Sequence, residues 1–208
     1  MAGMAETAIG KAVRALVVRD RNLSDEVLRD EDAINQMELQ IDDACMRILA
    51  LHQPEASDLR FIAMALKING DLERIGDLAV NIVQRVRKLL TEPPLKPLID
   101  LPQMALEAQK MLRDSLDAFV QGDPDLARDV CRRDDTVDAY NNQIFRELLT
   151  YMMEDARTIT RALHVLLIAR QLERVADHAT NISEDVIYFV QGKSIKHHAQ
   201  NGKGHLNS

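Results

Sequence analysis

The chain has 208 residues, a formal charge of −7, 46% apolar residues and only 3% aromatics, with no Trp. An excess of acid excludes nucleic acid as the main partner, because phosphate backbones need a basic stripe. A core must be filled by Leu, Ile, Val, Ala and Met, which suits helix seams better than a sheet. Two distant cysteines, Cys45 and Cys131, have neither C-x-x-C nor His spacing, so reduced thiols are expected rather than a disulfide or zinc framework.

In chain order, Met1–Glu6 lacks the basic and apolar regions of a secretory signal. Helices are predicted at roughly 3–20, 23–52, 57–91, 102–121, 124–153 and 157–191. Asp20-Arg21-Asn22, Gln53-Pro54, Pro93-Pro94 with Pro97, and Glu154–Arg157 separate them. Gly122-Asp123-Pro124 is the strongest break, with Gly at a left-handed stop, Asp as cap and Pro in the next first turn. No apolar run reaches the ~20 residues of a membrane span. Gly192 is expected to stop the last helix, and 193–208 reads as a disordered tail.

The third and sixth helices carry the clearest periodicity. Ile68, Leu72, Ile75, Ala79, Ile82, Val86 and Leu89 alternate spacings of four and three, and Ile168, Leu172, Val175, Ala179, Ile182, Val186 and Phe189 repeat them. The second and fifth helices follow less perfectly, with Val27, Ile34, Met37, Ile41, Ala44 and Ile48 against Val130, Val137, Tyr140, Ile144 and Tyr151. Two tandem three-helix bundles follow, all-α and related by a pseudo-twofold. Their expected limits are 1–93 and 102–192, with a linker at 94–101.

Inside this repeat, Leu72-Glu73-Arg74-Ile75-Gly76-Asp77-Leu78-Ala79-Val80-Asn81-Ile82 recurs 100 residues later as Leu172–Ile182, with seven of eleven positions identical. Glu73 and Asp77, like Glu173 and Asp177, stand four apart on one helical stripe, and heptad position places that stripe opposite the seam. Such carboxylates repel by a few tenths of a kcal/mol, so the pairing is not a default choice for stability. Arg74 and Arg174 are spaced to neutralise Asp77 and Asp177, which is the bland alternative. Glu31 with Asn35, and Asp134 with Asp138, are candidate partners from the second and fifth helices at an offset of 103. Oxygen donors of this kind suit magnesium, manganese or iron. No helical Glu-x-x-His points to a buried di-iron centre. His178 follows Asp177 but has Leu78 as its counterpart, so it reads as peripheral. No phosphate loop, G-x-S-x-G or nucleophile–His grouping suggests an enzyme.

Gln53-Pro54-Glu55-Ala56-Ser57-Asp58-Leu59-Arg60, the two Leu-Glu-Arg-x-x-Asp segments and Leu149–Ile159 together resemble the PhoU family of phosphate-signalling proteins, from about Met4 to Gly192. The resemblance implies a non-enzymatic cytoplasmic regulator, peripheral to the inner membrane through its partners. It would couple the ATPase of the phosphate ABC transporter to a sensor histidine kinase and repress signalling when phosphate is plentiful. It also implies surface clusters of iron or zinc. Carried over, the C-terminal site is Asp134, Asp138, Glu173 and Asp177, and the N-terminal site is Glu31, Glu73 and Asp77. Asn35 stands where an acid is common, so weaker metal retention is expected in the N-terminal half. Relatives usually carry about half a helix more before Met1–Ile9, which implies a truncated start or a less stable first bundle. Exposed Met and Leu on long helices favour a homodimer. Metal storage and a plain soluble scaffold are the competing readings. With no basic pocket legible in the sequence, direct phosphate sensing is not expected.

Overall fold

The computed structural model describes residues 1–191, so Gly192 and the tail expected at 193–208 lie outside it. Six helices run as α1 (Ala2–Val17), α2 (Arg21–His52), α3 (Ala56–Leu89), α4 (Asp100–Gln121), α5 (Pro124–Glu154) and α6 (Ile159–Gln191). Each triplet forms a three-helix bundle, and the repeat relates α1–α3 to α4–α6.

Local signals set the breaks. Asp20 accepts the Asn22 N–H at 2.8 Å. Gly122 takes the left-handed φ of 63° that closes α4, and Asp123 accepts the N–H groups of Asp125 and Leu126 at 2.9 and 3.1 Å. Before α6 the chain makes a 3-10 turn at Ala156–Thr158 that the sequence pattern does not reveal. Asp155 caps it by accepting the Arg157 N–H, and the Thr158 hydroxyl donates to the Tyr151 and Asp155 carbonyls.

The predicted seams are the core. Ile75, Ala79, Ile82 and Val86 of α3, and Ile168, Leu172, Val175, Ala179, Ile182 and Val186 of α6, are at or near zero exposure. These seams meet, because α3 packs on α6 and α1 on α4, so one apolar cluster runs through both bundles. At one end Phe61 stacks on Phe119 at 4.9 Å and meets Phe189 edge-on, joining α3, α4 and α6.

Two expected seam residues, Ala44 and Ile48, are exposed instead. Lys11 of α1 pairs with Glu26 and Asp30 of α2. At equal rise, the start of α1 lies beside roughly residue 39 of α2, so nothing in that helix covers the last turns. Leu39, Met46 and Leu51 are exposed there too, as are Phe145, Leu149 and Met153 on α5.

Gly70 sits mid-helix in α3, and an added Cβ would meet nothing within 4 Å. Gly70→Ala is therefore expected to raise stability by about 1 kcal/mol through backbone entropy. Urea unfolding reads this directly; a loss of stability would mean the position is constrained by something outside the chain. Gly76 differs, since its Cβ would stand 3.2 Å from Ile34 Cγ2.

Candidate functional site: two acidic grooves

The repeated carboxylates lie only partly on the outer face. Asp77 and Asp177 are exposed, but Glu73 and Glu173 are half-buried, because α2 and α5 lie alongside and turn the stripe into a groove between neighbouring helices. Across the first groove, Glu31 of α2 is raised above its ordinary carboxylate range by burial and then by Asp77. Glu73 is raised by burial, then by Asp77, Glu38 and Glu31, with Arg74 only partly offsetting.

The second groove repeats this more strongly. Burial, followed by Asp138, Asp177 and Asp135, pushes Asp134 up to about 6. Glu173 is raised by burial and then by Asp138 and Asp177. Asp177, open to solvent on its outer side, is raised by partial covering of its carboxylate and then by Asp138, with His178 and Arg174 partly offsetting. All seven candidate residues thus sit in two clusters, three in the first groove and four in the second. Neither Arg74–Asp77 nor Arg174–Asp177 closes into an ion pair among the described residues, so the arginines offset the carboxylates only at longer range.

Sequence reasoning missed one position in each groove. Glu38 stands one turn beyond Asn35, and Asn141 stands at its counterpart beyond Asp138. Asn141 donates from Nδ2 to Glu173 Oε2 at 3.0 Å, whereas Glu38 adds a fourth carboxylate near Glu73. The first groove thus gathers Glu31, Glu38, Glu73 and Asp77, as the second gathers Asp134, Asp138, Glu173 and Asp177. Extending the 103-residue offset by one turn would have found both. Buried Asn69 helps hold the first groove in register, donating to the Glu38 carbonyl at 2.9 Å and to Asp42 Oδ1 at 2.8 Å.

His178 is not part of this set. Its Nδ1 lies 2.9 Å from Asp71 Oδ1 across the α3–α6 contact between bundles.

The donors are all oxygen and carry an excess of like charge, which suits a hard or borderline cation. Among the described residues no three His, Cys, Asp or Glu groups converge closely enough to cage an ion. The grooves fit metal by chemistry and charge, as open surfaces rather than closed cages.

A duplicated three-helix unit with an acid quartet in each half defines an all-α, two-bundle class of protein. The PhoU domain matches residues 1–86 and 101–186. The accessory protein PhoU homolog of the phosphate-specific transport system from Pseudomonas aeruginosa is 44% identical over 198 residues, which is 95% of this chain and 82% of the relative. The corresponding Escherichia coli protein is 39% identical over 197 residues, again 95% and 82%. The crystal structure of PhoU from Pseudomonas aeruginosa superposes with a TM-score of 0.88 at 45% identity, covering 93% of each chain. The phosphate transport system regulatory protein PhoU from Streptococcus pneumoniae superposes at 0.83 and 30% identity, covering 93% of this chain and 91% of that one. The chain belongs to the PhoU family.

Proposed function

We propose that this protein is a non-enzymatic accessory regulator of phosphate transport. It couples the ATPase of the phosphate ABC transporter to a sensor histidine kinase and represses the starvation response when phosphate is plentiful. The observation that carries this reading is the pair of acid quartets, built twice from two helices and left without ion-pair neutralisation. Surfaces of this kind steer and select basic partner patches more than they add raw affinity. A groove of about 540 Å³ beside Glu173, lined by Phe145, Leu163 and Leu167, offers apolar anchorage next to the charge.

Metal belongs to the same surfaces. Glu31, Glu73 and Asp77, joined by Glu38, would hold it in one half, and Asp134, Asp138, Glu173 and Asp177 in the other. A bound cation (iron or zinc, or magnesium or manganese) would supply positive charge that relieves the carboxylate repulsion and tunes partner affinity. None of the helices described is long and apolar enough to cross a membrane, in keeping with a cytoplasmic protein brought to the inner membrane by its partners. The exposed apolar ends of the α2–α3 and α5–α6 hairpins are the surfaces for a homodimer.

The test is Glu173→Ala with Asp177→Ala. Helicity by circular dichroism should be unchanged while capture of the transporter ATPase falls by about tenfold or more. Undiminished capture would place the partner surface elsewhere. Many ions per chain in elemental analysis would favour metal storage instead.

A further inference from the structure

The acidic surface has one marked exception. Where the last turn of α3, the connector and the first turns of α6 meet, a pocket of about 270 Å³ is lined by Lys88, Arg157, Arg161 and His164, with the hydroxyl-bearing Thr91 and Thr160. Arg85, one turn before Lys88, lies close enough to act on His164 as well. In a chain of net charge −7, so many like charges at one spot repel and need a reason.

The usual reason, neutralisation by carboxylates, is largely missing. Among the described residues neither Lys88 nor Arg85 forms an ion pair, and Arg161 donates to the Pro93 carbonyl at 3.1 Å. Arg157 is tied, its Nε 3.0 Å from Asp155 Oδ1, and the same carboxylate lies near enough to Arg161 to interact with it at longer range. Glu92 is the one carboxylate in the lining. His164 Nδ1 is buried without a hydrogen-bond partner. Burial, then Lys88 and Arg85, hold His164 below its ordinary value, as expected of a cationic site lacking its counter-ion.

Nor is the cluster inherited from the repeat. The pseudo-twofold carries it onto a second pocket, of about 320 Å³, lined by Arg60, Met64, Lys67, Asp185, Tyr188 and Phe189, where Lys67 is paired with Asp185. At the offset of 100, Arg85 becomes Asp185, Lys88 becomes Tyr188, Arg161 becomes Phe61 and His164 becomes Met64. The same backbone frame thus carries aromatics and a carboxylate-paired lysine in one copy, and in the other a cation cluster whose Lys88 has no ion pair among the described residues.

We propose that the Lys88–Arg161–His164 pocket binds a phosphate dianion, bridging the end of α3 to the start of α6 and so joining the two bundles. A guanidinium fork and an ammonium suit a tetrahedral oxyanion. The Thr160 hydroxyl can supply a neutral donor, whereas that of Thr91 already donates to the Lys88 carbonyl at 2.7 Å. The start of α6 is the positive end of its macrodipole. Little apolar lining is present to receive a large organic body, so the ligand is orthophosphate or the terminal phosphoryl of a small monoester. Sequence patterning does not disclose the site, because Lys88 and Arg161 are 73 residues apart.

The experiment is calorimetric titration of the full chain at pH 7.5 with potassium phosphate and, separately, glycerol 3-phosphate. Potassium chloride of matched ionic strength removes non-specific screening. A saturable signal with orthophosphate alone assigns the free ion; one with both, or with the ester alone, assigns a terminal phosphoryl. Lys88→Gln is expected to weaken binding about tenfold. Glu92→Gln should tighten it, and Tyr188→Phe in the twin pocket should change nothing. His164 ring resonances should move only on binding. Responses no larger than those to chloride, or equal affinity in Lys88→Gln and the parent, overturn the site. The pocket shares no residue with the acidic grooves, so that failure would leave the partner-binding reading standing.

Discussion

Glu147→Ala is expected to destabilise the protein by about 2–3 kcal/mol, whereas Lys96→Met should cost less than about 1 kcal/mol. The two residues form an ion pair between the connector and α5, but they are buried unequally. The Lys96 side chain is only 5% exposed and that of Glu147 is 38% exposed. Removing Glu147 leaves an ammonium largely covered by protein without its paired counter-charge. Removing the Lys96 charge leaves a carboxylate that water already reaches, and methionine keeps most of the buried volume. Breaking a fully buried pair costs about 3–5 kcal/mol, so partial solvation of Glu147 brings the figure down. At this chain length the loss corresponds to a fall of about 4–12 °C in Tm. Urea and thermal unfolding of both variants would check it, and equal losses would show that the pair acts symmetrically, against the burial argument.

That pair also changes how the proline-rich connector is understood. As sequence, Pro93 to Pro97 reads as a linker between bundles. In the fold it is clamped from both sides. Arg19 of the first bundle donates to the carbonyls of Leu89, Leu90 and Glu92 at 3.3, 3.1 and 2.6 Å. Arg161 of the second donates to Pro93. Proline's missing N–H groups do not prevent this, because the clamps use carbonyl acceptors.

The same contrast runs through the rest of the molecule. Periodicity located the helices because α3 and α6 bury one continuous stripe, and Gly122-Asp123-Pro124 marked a boundary because each residue has a local role there. Ala44 and Ile48 fit the seam pattern yet stay exposed, since a pattern cannot say how far the covering helix extends. The acid quartets were largely legible because the repeat preserves their residue types. Glu38 and Asn141 were harder to read, because the two copies put different groups at one place and only the extended offset pairs them. The cationic pocket was invisible for a stronger reason: its members come from opposite ends of two helices, and its twin carries other chemistry. The signals that were read are local or repeated, and those missed are made by packing alone.

Asp134→Asn should raise stability by about 1–2 kcal/mol at pH 7.5, an effect that disappears at pH 4. The folded-state pKa of Asp134, pushed up to about 6 by burial and then by Asp138 and Asp177, lies above the value near 3.9 expected in an unfolded chain. Between these two values the folded protein holds the proton and the unfolded chain does not. Stability therefore falls as pH rises through that window and levels off above it. Two pH units would correspond to about 3 kcal/mol, and residual solvent access at this half-buried side chain lowers the estimate. Asparagine keeps the shape and removes the charge, so the variant escapes the loss. Thermal unfolding of both proteins from pH 4 to 8 would show curves that diverge with rising pH; parallel curves would mean that the carboxylate is well solvated. Millimolar magnesium chloride at pH 7.5 supplies the second arm, with ionic strength matched by potassium chloride. If Asp134 is a cation ligand, the parent should gain more than the variant and the gap should narrow, because the ion relieves the repulsion that the mutation removes. Equal gains would separate the strain at Asp134 from any metal bound in the groove.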